Sequence, residues 1–204
     1  MIDFVLHLSP GATGPASSWA ADAAVGDRLV FIARGAAPRR RASSSPRGAA
    51  ERLLLSGDET ALPAICRILG DLPAHARGTD LIEVPLSTDV AAIEAPAGVE
   101  LVWLPRDGGA VGCELIPAVI AHLGGSGSLA PTEAAEAVWD TARRPSRDTV
   151  TRVDGAGIPG LYAWIAGESG VVTTLRRHLV RELGVARDQV AFMGYWRRGV
   201  AMRG

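Results

Sequence analysis

Apolar residues follow two patterns along this chain: short continuous runs, and segments in which they recur every three or four positions. The runs are typical of strands buried on both faces, and the recurring pattern is typical of helices packed on a sheet. After residue 51 the runs predict strands at residues 52–56, 79–86, 99–105, 161–167 and 189–196. Helices are predicted between them at residues 60–72, 113–123 and 171–183. This alternation predicts an α/β fold with a doubly wound, parallel five-stranded sheet.

The helix predicted at 60–72 contains Pro63, which a helix tolerates only in its first turn. The helix should therefore begin close to residues 58–61. Its apolar period places Leu62, Ile65, Cys66 and Leu69 on one face. We accordingly expect Cys66 in the core.

The first 51 residues have a different character. The pattern predicts a strand at 2–8, a short helix at 16–24 and a second strand within 25–33. Residues 34–51 contain five arginines among serine, proline, glycine and alanine, a composition that does not build a core. We expect a flexible basic linker there rather than an anion-binding site, and a domain boundary between residues 1–33 and 52–204.

Residues 124–160 interrupt the alternation of strands and helices. Two glycine-rich loops flank the segment "TEAAEAVWDTARR", which is predicted to form a short helix that Thr132 caps. We interpret this stretch as an excursion of loop and helix that leaves the sheet and returns to it.

Composition excludes several classes of function. The chain has 204 residues, and its formal net charge of −1 gives no electrostatic case for binding nucleic acid or an anionic membrane. No stretch reaches the roughly 18 apolar residues of a membrane span, and the N-terminus lacks the pattern of a signal peptide. Cys66 and Cys113 stand apart with no CxxC pattern, which predicts no disulfide framework, no zinc site and a cytoplasmic location.

The histidines do not form a catalytic pattern with an acid or a nucleophile. His122 and His178 fall on predicted helices and are expected at the surface, and His75 is expected in a loop. We therefore predict no catalytic side chain and no metal ligand, and expect bound cofactors to supply any chemistry.

The stretch "LLLSGDETALPAI" passes from a predicted strand into a predicted helix, where α/β proteins often bind phosphate. Gly57 would allow a tight turn and a close approach of a ligand, and Thr60 has a hydroxyl for a phosphate oxygen. Asp58 and Glu59 oppose a phosphate there, but they suit a helix start. A phosphate site and a capped helix both remain open, and the local pattern favours the capped helix.

Other segments lie at predicted strand ends or helix starts. In "IAGES" a glycine ends one strand and a helix begins near Ser169, so a doubly wound sheet would place this turn beside the first. Arg106 follows the third strand, where it would bind a phosphate or lie exposed in a loop. Likewise, "GPASSW" is either a phosphate-binding helix start or a serine-capped surface helix. "GYWRRG" offers Tyr195 and Trp196 for stacking and two arginines for an anionic substrate, or is a basic tail.

In order along the chain, the segments "GPASSWA", "LLSGDETALPAI", "IEVPL", "WLPRDG", "YAWIAGESG", "LRRHLVRELG" and "VAFMGYWRRG" resemble siderophore-interacting proteins. These are NAD(P)H-dependent, FAD-containing ferric-siderophore reductases of the ferredoxin-reductase-like superfamily. The resemblance implies an antiparallel β-barrel flavin domain followed by a nucleotide-binding domain.

The resemblance also implies roles for individual residues. The segment that holds the FAD pyrophosphate matches Gly14, Pro15, Ala16 and Ser17. The first turn of the NAD(P)H-binding domain matches Gly57, Asp58, Glu59, Thr60 and Ala61, and the second side of its cleft matches Gly167, Glu168 and Ser169. Arg106 falls where an adenosine 2′-phosphate would be bound. The ferric siderophore would meet Arg197 and Arg198.

Family members carry most of the flavin barrel upstream of the segment "DFVLH", which here begins two residues after Met1. We therefore interpret residues 1–33 as a remnant of that barrel and the chain as a truncated family member. A partner chain is one means by which the flavin domain would be completed. The alternatives are a nucleotide-binding module without reductase activity and an interaction remnant without a ligand.

Overall fold

The computed structural model describes residues 15–29, 51–126, 129–131, 139–140 and 158–199. The helices are α1 (Pro15–Asp22), α2 (Leu62–Asp71), α3 (Leu115–His122) and α4 (Ser169–Arg177). The strands are β1 (Arg52–Gly57), β2 (Arg77–Val84), β3 (Gly98–Pro105), β4 (Trp139–Asp140), β5 (Leu161–Glu168) and β6 (Val190–Trp196).

The strands form one sheet in the order β3-β2-β1-β5-β6-β4. Strands β1, β2, β3, β5 and β6 are parallel, which confirms the predicted doubly wound five-stranded sheet. The chain builds outward from β1 to β3, then crosses back to place β5 on the other side of β1. That reversal lies between β1 and β5, where sheets of this kind bind ligands at their carboxyl ends.

A sixth strand corrects one prediction. Trp139 and Asp140, which fall in the predicted helix of the excursion, pair antiparallel with Met193 and Phe192 of β6. The pairing gives β6 backbone partners on its outer side, and a tryptophan suits a strand. Tertiary pairing therefore overrides the local helical pattern at these two positions. The rest of that predicted helix lies outside the described residues.

Two apolar layers cover the sheet. On one face α2 packs through Ile65, Ile68 and Leu69 against β1 and β2. On the other face α3 and α4 pack together over β1, β5 and β6. Strand β5 is buried along its whole length, because layers cover both of its faces.

The buried face of α2 differs from the predicted one by one position. Ile68 is buried and Cys66 is exposed, so the prediction of a core cysteine is wrong. Ile65, Ile68 and Leu69 recur at the helical spacing of three and four residues, and this stripe turns Cys66 toward the flank of the helix. Pro63 lies in the first turn of α2, as predicted.

The histidine of α4 is also placed differently from the prediction. Helix α4 continues into one wider π-helical turn, His178–Glu182, in which His178 is buried rather than at the surface. Its Nδ1 lies 2.7 Å from a carboxylate oxygen of Glu182, one turn further along. This partner allows the imidazole to leave water.

Near the N-terminus the structure contains α1 where a helix was predicted at 16–24, followed by exposed residues 23–29. Residues 25–29 of the segment in which a second strand was predicted form no strand, and residues 30–33 lie outside the described residues. The predicted strand 2–8 and residues 34–50 of the predicted linker also lie outside them. No helix in the described part of the chain is both long enough and apolar enough to cross a membrane.

Candidate functional site

The candidate site lies at the carboxyl ends of β1 and β5, on either side of the point where the strand order reverses. Gly57 at the end of β1 pairs in register with Ala166 of β5. The turn after β1 therefore lies beside the strand-to-helix turn of Gly167 to Ser169, in which β5 passes directly into α4, as the sequence predicted. Glu168 ends β5, and Ser169 begins α4.

The carboxylate of Asp58 joins the two turns. Asp58 is 2% exposed, and its Oδ2 accepts hydrogen bonds from the backbone N–H of Glu168 at 2.8 Å and the indole Nε1 of Trp196 at 2.9 Å. Its Oδ1 accepts from the backbone N–H of Thr60 at 3.0 Å and from the Thr60 hydroxyl. Burial raises the pKa of the Asp58 carboxyl, while the hydrogen bond from Thr60 acts in the opposite direction. The ends of β1, β5 and β6 thus meet at one acid.

Two glycines make room for this arrangement. A Cβ at Gly57 would lie 2.5 Å from the Cβ of Ala61 and 2.8 Å from the carbonyl oxygen of Ala166. Gly167 has φ of +140°, and a Cβ there would lie 2.5 Å from Oδ2 of Asp58. Both glycines therefore permit close packing between the turns. The space beside Gly57, which sequence reasoning assigned to an approaching ligand, holds protein atoms.

The two acids of the first turn do not cap α2, so the capped-helix hypothesis is wrong. The residue that precedes α2 is Ala61, and no side chain there bonds to the helix start. Asp58 instead bonds to Thr60 within the turn, and Glu59 binds Arg106. Neither side chain is left to satisfy the first N–H groups of α2.

Arg106, directly after β3, binds the carboxylate of Glu59 in a bidentate contact through Nη1 and Nη2. The distances are 3.0 Å from Nη1 to Oε2 and 2.9 Å from Nη2 to Oε1. Nη1 also lies 3.4 Å from Oε2 of Glu83. The Arg106 side chain is 11% exposed, which excludes the exposed-loop alternative. Its contact with an adenosine 2′-phosphate stays a prediction.

Glu83, which sequence reasoning missed, is a fully buried acid at the end of β2. Its Oε2 accepts from the backbone N–H of Gly112 at 2.8 Å, and its Oε1 accepts from those of Glu114 and Leu115 at 3.1 Å each. Glu83 therefore satisfies the start of α3. The signal in the sequence was a glutamate inside the otherwise apolar run "LIEV".

Glu168 plays the same part for α4. Its Oε2 accepts from the backbone N–H of Gly170 at 2.6 Å and of Val171 at 3.0 Å, and its Oε1 accepts from that of Arg198 at 3.2 Å. The hydroxyl of Ser169 donates to the carbonyl oxygen of Trp196 at 2.8 Å. The predicted second side of the cleft is thus bound to the end of β6.

The end of β6 brings its aromatic residues to Asp58. The register shifts between Gly167 and Glu168, so that Gly194 pairs with the first and Trp196 with the second. Tyr195 is half-buried beside Trp196, and burial, together with the negative charge of Asp58, raises the pKa of its hydroxyl. A shift of this kind re-aims side chains at the end of a strand, and here it turns the Trp196 indole onto the acid.

The predicted substrate and flavin residues lie at the edges of what the structure describes. Arg197 is half-buried and Arg198 is exposed. Pro15, Ala16 and Ser17 form the first turn of α1, in which Ala16 is exposed and Ser17 is buried. Gly14 lies outside the described residues. The role of this segment toward FAD stays a prediction.

The charges of the site decide what it would accept. Glu83 and Glu168 already occupy the N-terminal ends of α3 and α4, where a phosphate would otherwise bind. Asp58 and Glu59 add two further acids, and Arg106 is the cation in contact with Glu59. This concentration of acids suits an uncharged polar group, such as a carboxamide, better than a phosphate. Among the described residues, no group of three or more His, Cys, Asp or Glu is placed to hold a metal ion.

Two family models match the chain. A model described as siderophore-interacting protein matches residues 50–199, and a model described as siderophore-interacting FAD-binding domain matches residues 1–37. The first match includes all of the sheet and both turns of the candidate site.

Individual relatives agree with these matches. An uncharacterised protein of Mycobacterium tuberculosis is 36% identical over 200 residues, and the ferric vibriobactin reductase ViuB of Vibrio cholerae is 29% identical over 198 residues. Each alignment covers 97% of this chain and 59% of the relative, so the chain spans about three fifths of their length. The crystal structure of the siderophore-interacting protein SipS from Aeromonas hydrophila has a TM-score of 0.57 and 28% identity, covering 96% of this chain and 65% of SipS.

Proposed function

Because the chain belongs to the siderophore-interacting protein family, we propose that it serves the NAD(P)H-dependent reduction of ferric siderophores through FAD, with release of iron(II). Two further findings support this proposal: the N-terminal match to a siderophore-interacting FAD-binding domain, and the likeness to a ferric vibriobactin reductase. The cofactors supply the chemistry, which is hydride transfer from NAD(P)H to FAD followed by single-electron transfer to iron(III).

The observation that carries the proposal is the meeting of two turns at the reversal of the strand order. Gly57 to Ala61 and Gly167 to Ser169 flank the carboxyl ends of β1 and β5. This is the place at which doubly wound sheets bind nucleotides. We assign it to the nicotinamide end of NAD(P)H, because the carboxylates of Glu59, Glu83 and Glu168 disfavour phosphate.

The residues of the chain bind and orient in this proposal. Glu59 and Thr60 accept hydrogen bonds from the carboxamide N–H groups of the nicotinamide, because the Thr60 hydroxyl donates its own proton to Asp58. Pro15, Ala16 and Ser17 bind the FAD pyrophosphate together with Gly14. Arg197 and Arg198 attract an acidic ferric siderophore to the end of β6.

The first experiment asks which cofactors the chain binds. Purified protein that holds FAD, or that takes it up when FAD is added, absorbs light at about 450 nm, because the bound flavin absorbs there. Titration with NADH and with NADPH by calorimetry measures nucleotide affinity. A colourless protein that ignores added FAD but binds nucleotide would favour a nucleotide-binding module, and a protein that binds neither would contradict the proposed function.

A second experiment tests the assignment of the nicotinamide end. We expect Glu59→Gln and Thr60→Val to slow hydride transfer to bound FAD more than they weaken overall nucleotide affinity, because most contacts with the cofactor lie elsewhere. The control is Arg67→Leu, which removes an exposed surface ion pair of α2. Unchanged hydride transfer in both variants would remove the turn from the site.

A further inference from the structure

Arg106 has a different task from the one its position after β3 suggests. A guanidinium at the carboxyl end of a strand is well suited to bind a phosphate, but only if its N–H groups are free. Here Nη1 and Nη2 both donate to Glu59, at 3.0 Å and 2.9 Å. A phosphate that leaves this carboxylate in place would find only the N–H of Nε and one N–H of Nη2, on a side chain that is 11% exposed.

A second carboxylate, that of Glu83, also contacts the guanidinium of Arg106. Nη1 of Arg106 also lies 3.4 Å from Oε2 of Glu83, which is itself fixed by the backbone N–H groups of Gly112, Glu114 and Leu115. The Arg106 backbone N–H donates to the carbonyl oxygen of Val84 at 3.0 Å. Arg106 is therefore held by hydrogen bonds at its backbone N–H and at its guanidinium.

Burial makes the arrangement costly to change. The side chains of Arg106, Glu59 and Glu83 are 11%, 15% and 0% exposed. Removing one member of a buried, hydrogen-bonded ion pair leaves the other charge without compensation. The three residues come from the ends of β3, β1 and β2, so one cation connects three neighbouring strands at the edge that bears the site.

We propose that Arg106 is a positioning residue that fixes the carboxylate of Glu59 against the nicotinamide end of the cofactor, and that it does not recognise the 2′-phosphate of NADPH. The proposal rests on the proposed function. It predicts that replacing Arg106 affects NADH and NADPH alike, and that it acts only through Glu59.

The test compares Arg106→Leu, Glu59→Gln and the double variant by calorimetry with NADH, NADPH and ADP-ribose, which has no nicotinamide. We expect each single variant to weaken NADH and NADPH by the same factor, about 5-fold or more, and the double variant to be no weaker than either. ADP-ribose affinity should stay unchanged. Arg106→Lys should not restore binding, because an ammonium cannot make the forked contact.

A second readout follows the nicotinamide itself. The fluorescence of bound NADH reports the surroundings of the reduced ring, and we expect Arg106→Leu and Glu59→Gln to change it in the same direction. Arg67→Leu is the matched control, because Arg67 pairs with Asp71 at the exposed surface of α2. That variant should leave every affinity and the fluorescence unchanged.

Different failures are distinguishable. If Arg106→Leu weakens NADPH by roughly 10-fold or more while NADH is unaffected, Arg106 binds the phosphate and the inference is overturned. Additive effects in the double variant would also overturn it, since the two residues would then act separately. A wild-type protein that binds neither nucleotide would contradict the proposed function itself.

Discussion

Gly167 leaves the space that the carboxylate of Asp58 fills. A Cβ at position 167 would lie 2.5 Å from Oδ2 of Asp58, and the φ of +140° at this glycine disfavours any side chain. The same carboxylate oxygen accepts from the backbone N–H of Glu168 and the indole of Trp196. The absence of a Cβ at Gly167 therefore allows the ends of β1, β5 and β6 to meet at Asp58.

We predict that Gly167→Ala lowers the free energy of unfolding by about 2 kcal/mol or more, because a backbone strain and a clash with a buried carboxylate add together. Urea denaturation measures the loss. The control is Gly124→Ala, where φ is also positive at +82° and no atom lies within 4 Å of the added Cβ. Equal losses in the two variants would show that the clash with Asp58 contributes nothing.

Trp196→Phe should destabilise the protein by about 1–3 kcal/mol, because it removes a donor from a buried acid. A double-mutant cycle with Asp58→Asn isolates that contact by urea denaturation. We expect Trp196→Phe to cost less in the Asp58→Asn background. Trp103→Phe on the edge strand β3 is the control, and its cost should be the same in both backgrounds. No coupling between Trp196 and Asp58 would contradict the hydrogen bond.

Asp80 is a buried acid without a hydrogen-bond partner among the described residues. It lies in β2 between Leu55 and Leu101 in register, on the face that α2 covers. Burial raises the pKa of Asp80 from 3.8 to about 7. Cys66 of α2 is close enough for the charge of Asp80 to act on it: partial burial and that charge raise the pKa of its thiol.

The folded protein thus keeps a proton on Asp80 across a pH window in which the unfolded chain has lost it. Stability should therefore fall as pH rises from 3.8 to about 7 and level off above that value. Asp80→Val should flatten this slope and raise stability by about 2 kcal/mol or more near pH 8. Denaturant midpoints measured across pH give the test, with exposed Asp188→Asn as control. An unchanged slope in Asp80→Val would assign the pH dependence to other groups, such as Asp58.

Both cysteines should react with a thiol reagent in the folded protein. Cys66 and Cys113 are free and exposed, and partial burial followed by the charge of nearby carboxylates raises the pKa of each thiol. We expect two thiols per chain to react without denaturant, more slowly than a free thiol at neutral pH, because less thiolate is present. Counting the thiols of Cys66→Ser and Cys113→Ser assigns each one. A Cys66 that reacts only after unfolding would return it to the core.

Much of the fold follows from local pattern, because buried parallel strands leave continuous apolar runs and amphipathic helices leave apolar residues every three or four positions. The neighbouring positions of Gly57 and Gly167 also follow from the sequence, since carboxyl ends of parallel strands lie at one edge of the sheet. The sequence does not predict which charged side chains contact each other at the ends of the strands.

The pairs that define the site join distant positions. Glu59 and Arg106 are 47 residues apart, and Asp58 and Trp196 are 138 residues apart. No local rule links them, so the local pattern favours helix caps at Asp58 and Glu59, although both side chains have partners far along the chain. The role of Glu83 is hidden for the same reason, because the backbone N–H groups that donate to its carboxylate lie after β3, at Gly112 and Leu115. Cys66 was misplaced because one helical position separates the flank from the core.

Amide NMR of the isotope-labelled chain tests most directly whether the turns after β1 and β5 form the nicotinamide site. On titration with NADH or NADPH, we predict that the backbone amide signals of Gly57 to Ala61 and of Gly167 to Ser169 shift together. ADP-ribose should leave the signals of Glu59 and Thr60 in place. Nucleotide-dependent shifts that cluster away from both turns, or saturating nucleotide that shifts no signal in them, would contradict the claim.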